Sequence, residues 1–419
     1  MTLLDSNYDI ALYVHIPFCR SKCIYCDFFS FVPPSVNEGI IETTIISILE
    51  ELEYNLAMLP SVTIKTLYIG GGTPSLLSGK TLESLLRGID LSLRRHNTEV
   101  SGLSEYTIEA NPESVTRDFL EICSDHGVTR ISIGFQSMSD RLLDILKRPG
   151  CCRDNFKSLE LLESSWTGKK SGDLLSGIPT QKTDELIESI SVLIENDFKH
   201  ISLYTLTVED DTELCQMVKN GSIEMPKAEE EEKMWFSGKN FLENNGLMNY
   251  EISNFAIPGY ESLHNLAYWK MEPYLGIGPS AVSTMPASGD TDKRVDSSNI
   301  ILRMTHSNDL VKYCRGRENN WGITTESIQA REFLLENLMM GLRLRDGIEK
   351  SLFRKRFGID LFDILPMTDE FSDDPYYYRL EGDSRFMLEK ILLSIQRYTE
   401  PLSSEQIHIQ WPRDTDRGK

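Results

Sequence analysis

Ala11-Leu-Tyr-Val-His-Ile16-Pro-Phe-Cys19-Arg-Ser-Lys-Cys23-Ile-Tyr-Cys26 joins a β-type apolar run directly to three closely spaced cysteines. The CxxxCxxC spacing reads as three thiolate ligands for an iron-sulfur cluster. A cubane has four irons, so three thiolates leave one iron free to chelate a small molecule. A structural zinc site would need a fourth Cys or His, usually from a second pair at short spacing, and no CxxC or HxxxH pair follows. Disulfides do not suit the pattern. The sequence shows no apolar leader and no apolar run of about 18 residues, so the expectation is a reducing cytoplasm, where paired cysteines are rare.

Outward from this stretch, short β-type runs alternate with longer amphipathic segments. The runs are Ala11 to Ile16, Thr66 to Ile69, Glu105 to Glu109, Arg130 to Phe135, Gly172 to Leu175 and Ile201 to Thr207, with helical spacing in stretches such as Ile40 to Met58 and Asp184 to Asn196. This alternation predicts βα units on a parallel sheet, where ligand-handling residues collect beyond the C-terminal strand ends. The cysteines follow the first run. Gly70-Gly-Gly-Thr-Pro-Ser75 ends the second, Glu109-Ala-Asn-Pro112 the third and Gln136-Ser137 the fourth, while the fifth carries Asp173 before Gly177-Ile-Pro179. Each alone reads equally as a tight turn or a solvated strand end. Five at consecutive strand ends point to one site.

The formal net charge of -21 and pI of about 4.8 argue against nucleic acid as the main partner, because phosphates need a basic footprint. Cys123, Cys151, Cys152, Cys215 and Cys314 lack metal-type spacing and read as incidental thiols. The run Glu229 to Glu232 suits the first turn of a helix, and the basic run Arg354 to Arg356 reads as a solvated face. With 419 residues the chain divides into a large α/β region, 1–285, and a smaller helical region, 325–398, joined by a loop and connecting segment, 286–324. In the smaller region Thr325 to Arg345 and Leu352 to Phe362 have helical spacing, with a two-strand wing around Tyr377 to Met387. Polar, breaker-rich composition predicts a mobile loop at Ala287 to Ser298 and a disordered tail over 399–419.

The motifs resemble the radical S-adenosylmethionine (SAM) superfamily. Within it, Tyr13-Val-His-Ile-Pro-Phe-Cys19 followed by Lys22-Cys23-Ile-Tyr-Cys26-Asp-Phe-Phe-Ser30 is similar to the opening motif of the oxygen-independent coproporphyrinogen III oxidases and the HemW-type heme chaperones. The resemblance runs over roughly residues 10 to 395. It implies a partial (β/α)6 TIM-like barrel with a smaller C-terminal winged-helix-like domain. It also implies a [4Fe-4S] cluster on Cys19, Cys23 and Cys26 with SAM on the open iron, and contacts to SAM from Tyr13, Gly71, Gly72, Thr73, Glu109, Gln136, Arg148 and Asp173.

Two features place the chain nearer the chaperones than the oxidases: the early position of Cys19, and Phe28 where the oxidases carry a further cysteine. His264-Asn-Leu-Ala-Tyr-Trp269 matches the HNxxYW motif that the chaperone type associates with heme. A neutral imidazole can ligate heme iron, and Tyr268 and Trp269 offer flat apolar surfaces. A histidine beside aromatics is equally at home as a packing residue. The sequence departs from the group at Val282, where many members have a histidine, and at Gly150, where a histidine commonly follows the arginine equivalent to Arg148. The resemblance therefore implies a cytoplasmic protein that binds heme and passes it to a hemoprotein or respiratory-chain recipient, membrane-associated or not, as a monomer or homodimer. The rival expectation is radical oxidative decarboxylation of coproporphyrinogen III. A third is a β/α protein with a structural metal loop.

Overall fold

The computed structural model describes residues 8–32, 37–59, 62–96, 102–286, 300–365, 371–372, 374–400, 402, 407 and 409–410. The loop expected at Ala287 to Ser298 and most of the expected tail lie outside them. In chain order the first part runs β1 (Tyr8–Ile16), α1 (Glu38–Met58), β2 (Val62–Gly71), α2 (Gly79–Arg95), β3 (Glu105–Ala110), α3 (Arg117–Asp125), β4 (Arg130–Gln136), α4 (Asp140–Ile145), α5 (Cys152–Ser165), β5 (Lys169–Ser176), α6 (Thr183–Glu195), β6 (His200–Thr205), α7 (Glu213–Lys219) and α8 (Ala228–Asn244). Strands β1 to β6 lie side by side in sequence order, all parallel. Every β-type run found in this part of the sequence is one of these strands.

The sheet continues at both sides with β7 (Met248–Asn249), β8 (Asn254–Ala256), α9 (Leu263–Trp269), β9 (Tyr274–Ile277), β10 (Val282–Pro286), β11 (Ile301–Thr305), α10 (Leu310–Tyr313) and β12 (Thr324–Ile328). β9 joins β1 in parallel, β10 to β12 extend that side antiparallel, and β8 and β7 extend the β6 side. Among the described residues the two ends, β12 and β7, do not pair, so the sheet stays open. It nonetheless curves around the segment leading into α9. Tyr68 of β2 stacks on His264, Glu105 of β3 accepts from its backbone N–H, and Arg130 of β4 donates to the Tyr260 and Glu261 carbonyls.

Side chains alternate across each strand, and the alternation sorts their chemistry. Leu12, Val14, Ile16, Leu67, Ile69, Ile108, Ile131 and Ile133 point into the core under the helices, each fully buried. Burial of such a side chain stabilises by about 1.5–3 kcal/mol. The intervening positions Tyr68, Thr107, Glu109, Ser132, Asp173, Ser202 and Tyr204 face one polar cavity.

Helix α1 is tied to the distant end of the chain by one carboxylate. Glu51, with no exposed surface, accepts from Gly278 N–H at 3.1 Å and Tyr313 O–H at 2.5 Å and pairs with His306 Nε2. His306 Nδ1 lies 2.9 Å from the Ala281 carbonyl. Burial opposes a charge on His306, but Glu51 outweighs it and raises the imidazole's pKa.

Residues 300–324 correct the expectation of a mere connecting segment. Trp321 is buried, packs on Tyr54 with ring centroids 5.4 Å apart, and donates to the Ser47 carbonyl, so this stretch covers α1. Its short elements carry no periodic signal because their burial depends on α1. Thr324, Thr325 and Ile328 favour extended backbone as β-branched residues. The helix expected from Thr325 therefore starts only at Ala330.

The smaller region contains α11 (Ala330–Gly341), β13 (Ile348–Glu349), α12 (Lys350–Phe357), α13 (Leu361–Ile364), β14 (Tyr377–Tyr378) and α14 (Leu388–Thr399) around a core of its own. Gly358, in the left-handed region at φ 69°, splits the helix expected over Leu352 to Phe362. Of the two-strand wing expected around Tyr377 to Met387, β14 lies in that stretch and pairs with β13 upstream of it, while Gly382–Met387 forms a 3-10 turn. Arg356 also departs from the solvated-face reading. It is buried and donates to the Lys270 carbonyl at 3.1 Å.

Candidate functional site

The cysteine loop is stitched to the glycine segment by backbone alone. Cys19 N–H donates to Phe31 O and Phe31 N–H to Pro17 O, which closes the loop, while Gly72 and Thr73 N–H donate to Ile16 O and Phe18 O. Gly72 lies so close that a Cβ there would sit 2.5 Å from Phe18 O. Gly71, at φ 110°, would drive a Cβ into the His15 ring. Thus Gly71 and Gly72 are required by approach and conformation.

Cys19, Cys23 and Cys26 line one cavity of about 380 Å³ with Gly71, Gly72, Thr73, Glu109, Gln136, Arg148 and Asp173. Thr73 Oγ1 donates towards Cys19 Sγ at 3.6 Å and Arg148 Nη1 towards Cys23 Sγ at 3.8 Å. Burial pushes the Cys26 thiol up to about 11 and raises that of Cys19, so a neighbouring cation is needed to hold them as thiolates. Among the described residues no three His, Cys, Asp or Glu side chains converge to grip a single ion. Three all-sulfur donors on one wall fit a polynuclear iron-sulfur group.

The rest of the wall is pre-set. Lys147, at φ 51°, turns the chain out of α4 and sends Arg148 inward. Arg148 Nη2 donates to Gly134 O and, at 3.1 Å, to Asn111 Oδ1; Asn111 Nδ2 donates at 3.2 Å to Thr73 Oγ1, the hydroxyl that faces Cys19. At the end of β4 the register shifts, and Gln136 adopts a left-handed φ of 65°, which folds its amide back over Gly134. Such strain persists where surrounding structure enforces it. Glu109 accepts from Tyr68 O–H at 2.7 Å and Gly71 N–H at 3.0 Å, and its burial raises the carboxyl to about 7. Burial likewise lifts Asp173 to about 6, although Ser132 Oγ donates to it. Two carboxyls held near neutrality beside a guanidinium can accept from ammonium and hydroxyl groups while Arg148 takes an anion.

Tyr13 and His264 are absent from this wall. The Tyr13 hydroxyl lies 2.9 Å from His15 Nδ1, and His15 Nε2 lies 3.1 Å from Phe29 O, so Tyr13 orients the ring under Gly71. His264 is 1% exposed, bonded through Nδ1 to Thr66 Oγ1 at 3.0 Å and flanked by Tyr68, Tyr13 and Tyr268. Burial lowers its pKa to about 3. The imidazole is therefore neutral, flanked by aromatic rings, and its Nε2 is buried without a hydrogen-bond partner. Below it, Arg130 and Glu105 form a buried ion pair at 2.9 Å.

The motif reading passed over Asn111, His15, Tyr68, Ser132, Ser202 and Tyr204. A period-two scan would have found Ser132, Ser202 and Tyr204, since polar residues recur at every second position of Arg130-Ile-Ser132, Ser171-Gly-Asp173 and His200-Ile-Ser-Leu-Tyr204.

The Radical SAM superfamily profile matches residues 13–193, and that of the HemN C-terminal domain matches 328–373. The heme chaperone HemW of Bacillus subtilis is 32% identical over 358 residues, covering 85% of this chain and 89% of that protein. Radical S-adenosyl methionine domain-containing protein 1, mitochondrial, of Mus musculus is 35% identical over 271 residues, covering 65% and 60%. Coproporphyrinogen III oxidase (HemN) of Escherichia coli, a radical SAM enzyme, superposes with a TM-score of 0.73 at 18% identity, covering 94% of this chain and 91% of that one. This last likeness concerns the fold.

Proposed function

The chain belongs to the HemW family of the radical SAM superfamily, and from that premise we propose that it is a heme chaperone, binding heme and delivering it to hemoproteins. The observation that carries the reading is the similarity to a protein named a heme chaperone over nearly the full length of both chains. The superfamily implies a [4Fe-4S] cluster and SAM. When bound, the cluster supplies an electron and an iron that chelates SAM.

In this reading Cys19, Cys23 and Cys26 hold the cluster. Gly71, Gly72 and Thr73 admit the methionine end of SAM close to the backbone, Glu109 takes its ammonium, and Arg148 with Asn111 faces its carboxylate. Gln136 and Asp173 accept the remaining amino and hydroxyl groups, and Tyr13 acts through His15. A reducing, aqueous compartment suits three free thiols. The recipient is a hemoprotein, such as one of a respiratory chain or membrane, and a homodimer is compatible with the reading. Among the described residues no helix is long and apolar enough to cross a membrane.

The test is anaerobic reconstitution followed by heme titration and transfer to an apo-hemoprotein. Stoichiometric binding and transfer are expected. Conversion of coproporphyrinogen III to protoporphyrinogen IX with SAM and reductant, without heme transfer, would instead establish an oxidase.

A further inference from the structure

Helix α9 has a second face. Where His264 turns toward Thr66 and Tyr68 of β2, Leu266, Trp269 and Lys270 line a separate cavity of about 580 Å³ whose opposite wall comes from α11 and α12. We infer that this cavity is the heme site of the chaperone, and that it holds the porphyrin by its faces and carboxylates without a histidine on the iron. The inference rests on the heme-chaperone reading and adds to it the place and manner of binding.

Three observations carry it. First, the volume lies within the range of ligand cavities, and Leu266, Trp269, Leu352 and Phe353 give it apolar walls suited to a flat macrocycle. The Trp269 indole is fixed from another side by the Arg343 guanidinium, 4.6 Å from its ring centre. Second, two donors at this wall have no partner: Trp269 Nε1 and Asn337 Nδ2, the latter on a residue 6% exposed. An unmet buried donor destabilises the empty site, and an acceptor on a bound ligand would relieve it. Third, the basic residues share an edge. Arg356 donates to the Lys270 backbone carbonyl, which ties the end of α9 to α12, and Lys270 and Lys355 both line the cavity, where propionates can be met.

Acidic residues line the cavity too, namely Glu261, Glu272, Asp346 and Glu349, so net charge does not select the ligand. Shape and the placed donors do. No His, Cys or Met is among the lining residues, and of the two tyrosines there the Tyr250 hydroxyl is already engaged by His200 Nε2 and Ser262 N–H while burial raises the pKa of the Tyr377 phenol, so the proposed binding does not need the iron.

The experiment is a titration of the reconstituted full chain with hemin and, separately, with iron-free protoporphyrin IX, using wild type and the variants Leu352→Trp, Asn337→Leu, Lys355→Glu and His264→Ala. Cluster absorption and circular dichroism confirm that each is folded. Dissociation constants for the two porphyrins should agree within about threefold, and Leu352→Trp, which fills the cavity, and Asn337→Leu should each weaken both by roughly tenfold. Lys355→Glu, at the exposed edge, should weaken both by about threefold, and folded His264→Ala should bind like wild type. Binding that requires iron and vanishes in folded His264→Ala, while Leu352→Trp binds normally, overturns the inference but leaves the chaperone reading intact. Failure of wild type to bind hemin at all overturns both.

Discussion

The two cavities are built on different principles. The cysteine-lined cavity belongs to one continuous sheet, and its polar groups are held by their neighbours: Arg148 by Gly134 and Asn111, Glu109 by Tyr68 and Gly71. The cavity beside α9 lies between that helix and α11 and α12, and the donors Trp269 Nε1 and Asn337 Nδ2 on its lining residues lack partners. A preorganised site suits a resident group that stays in one geometry, because the ordering is completed during folding. An incompletely satisfied site between packed elements suits cargo that must leave again.

The hardest test of this contrast is removal of the three thiolates together. The triple variant Cys19→Ala, Cys23→Ala, Cys26→Ala should lose the cluster's absorption and spin-resonance signals entirely, while hemin binding in the second cavity stays within about twofold. A cluster retained in that variant refutes the ligand assignment. Next comes the ion pair beside the first cavity. Arg130→Met leaves Glu105 buried without its cation, so urea unfolding should show a loss of about 3–5 kcal/mol, only partly recovered in Arg130→Met/Glu105→Leu, which strands the His264 N–H and the Tyr260 and Glu261 carbonyls. Gly72→Ala sets a methyl against Phe18 O, and destabilisation of about 1–3 kcal/mol should accompany weaker SAM binding without altered hemin affinity.

The smallest effect is a pH slope. Glu109 titrates near 7 in the fold against a usual value of 4.5, so the proton is bound more tightly in the folded chain. Its contribution to stability is complete below the usual value and is lost as the pH rises through about 7. Denaturation of the cofactor-free chain should accordingly become easier across that window, and Glu109→Gln should reduce the slope, leaving the part that Asp173, raised to about 6, contributes. Binding of the SAM ammonium in the same window should release protons, measurable as buffer-dependent heat.

The parallel strands and the first cavity were legible because both follow periodicity. The apolar alternates of β1 to β6 mark the core face, and a polar residue at each strand end marks the site. Other features depend on contacts between distant segments. Trp321 is a core residue only because α1 offers it Tyr54 and Ser47, and Arg356 is buried only because Lys270 lies across from it. The motif His264 to Trp269 shows the limit most clearly. Six residues in a row match a heme-associated pattern, yet helical geometry sends His264 and Trp269 into separate compartments.

Glu51 also sets an order of events during synthesis. The carboxylate sits in a helix close to the N-terminus, but its partner His306 is 255 residues away. At about 5–20 residues per second, roughly 10–50 s separate the emergence of the two. Over that interval the nascent N-terminal half cannot bury α1 in its final form without leaving the Glu51 carboxyl short of its partners Gly278, His306 and Tyr313. Completion of this half of the sheet is therefore delayed until the ribosome has made most of the chain, and truncations that end before His306 should be retained by general chaperones.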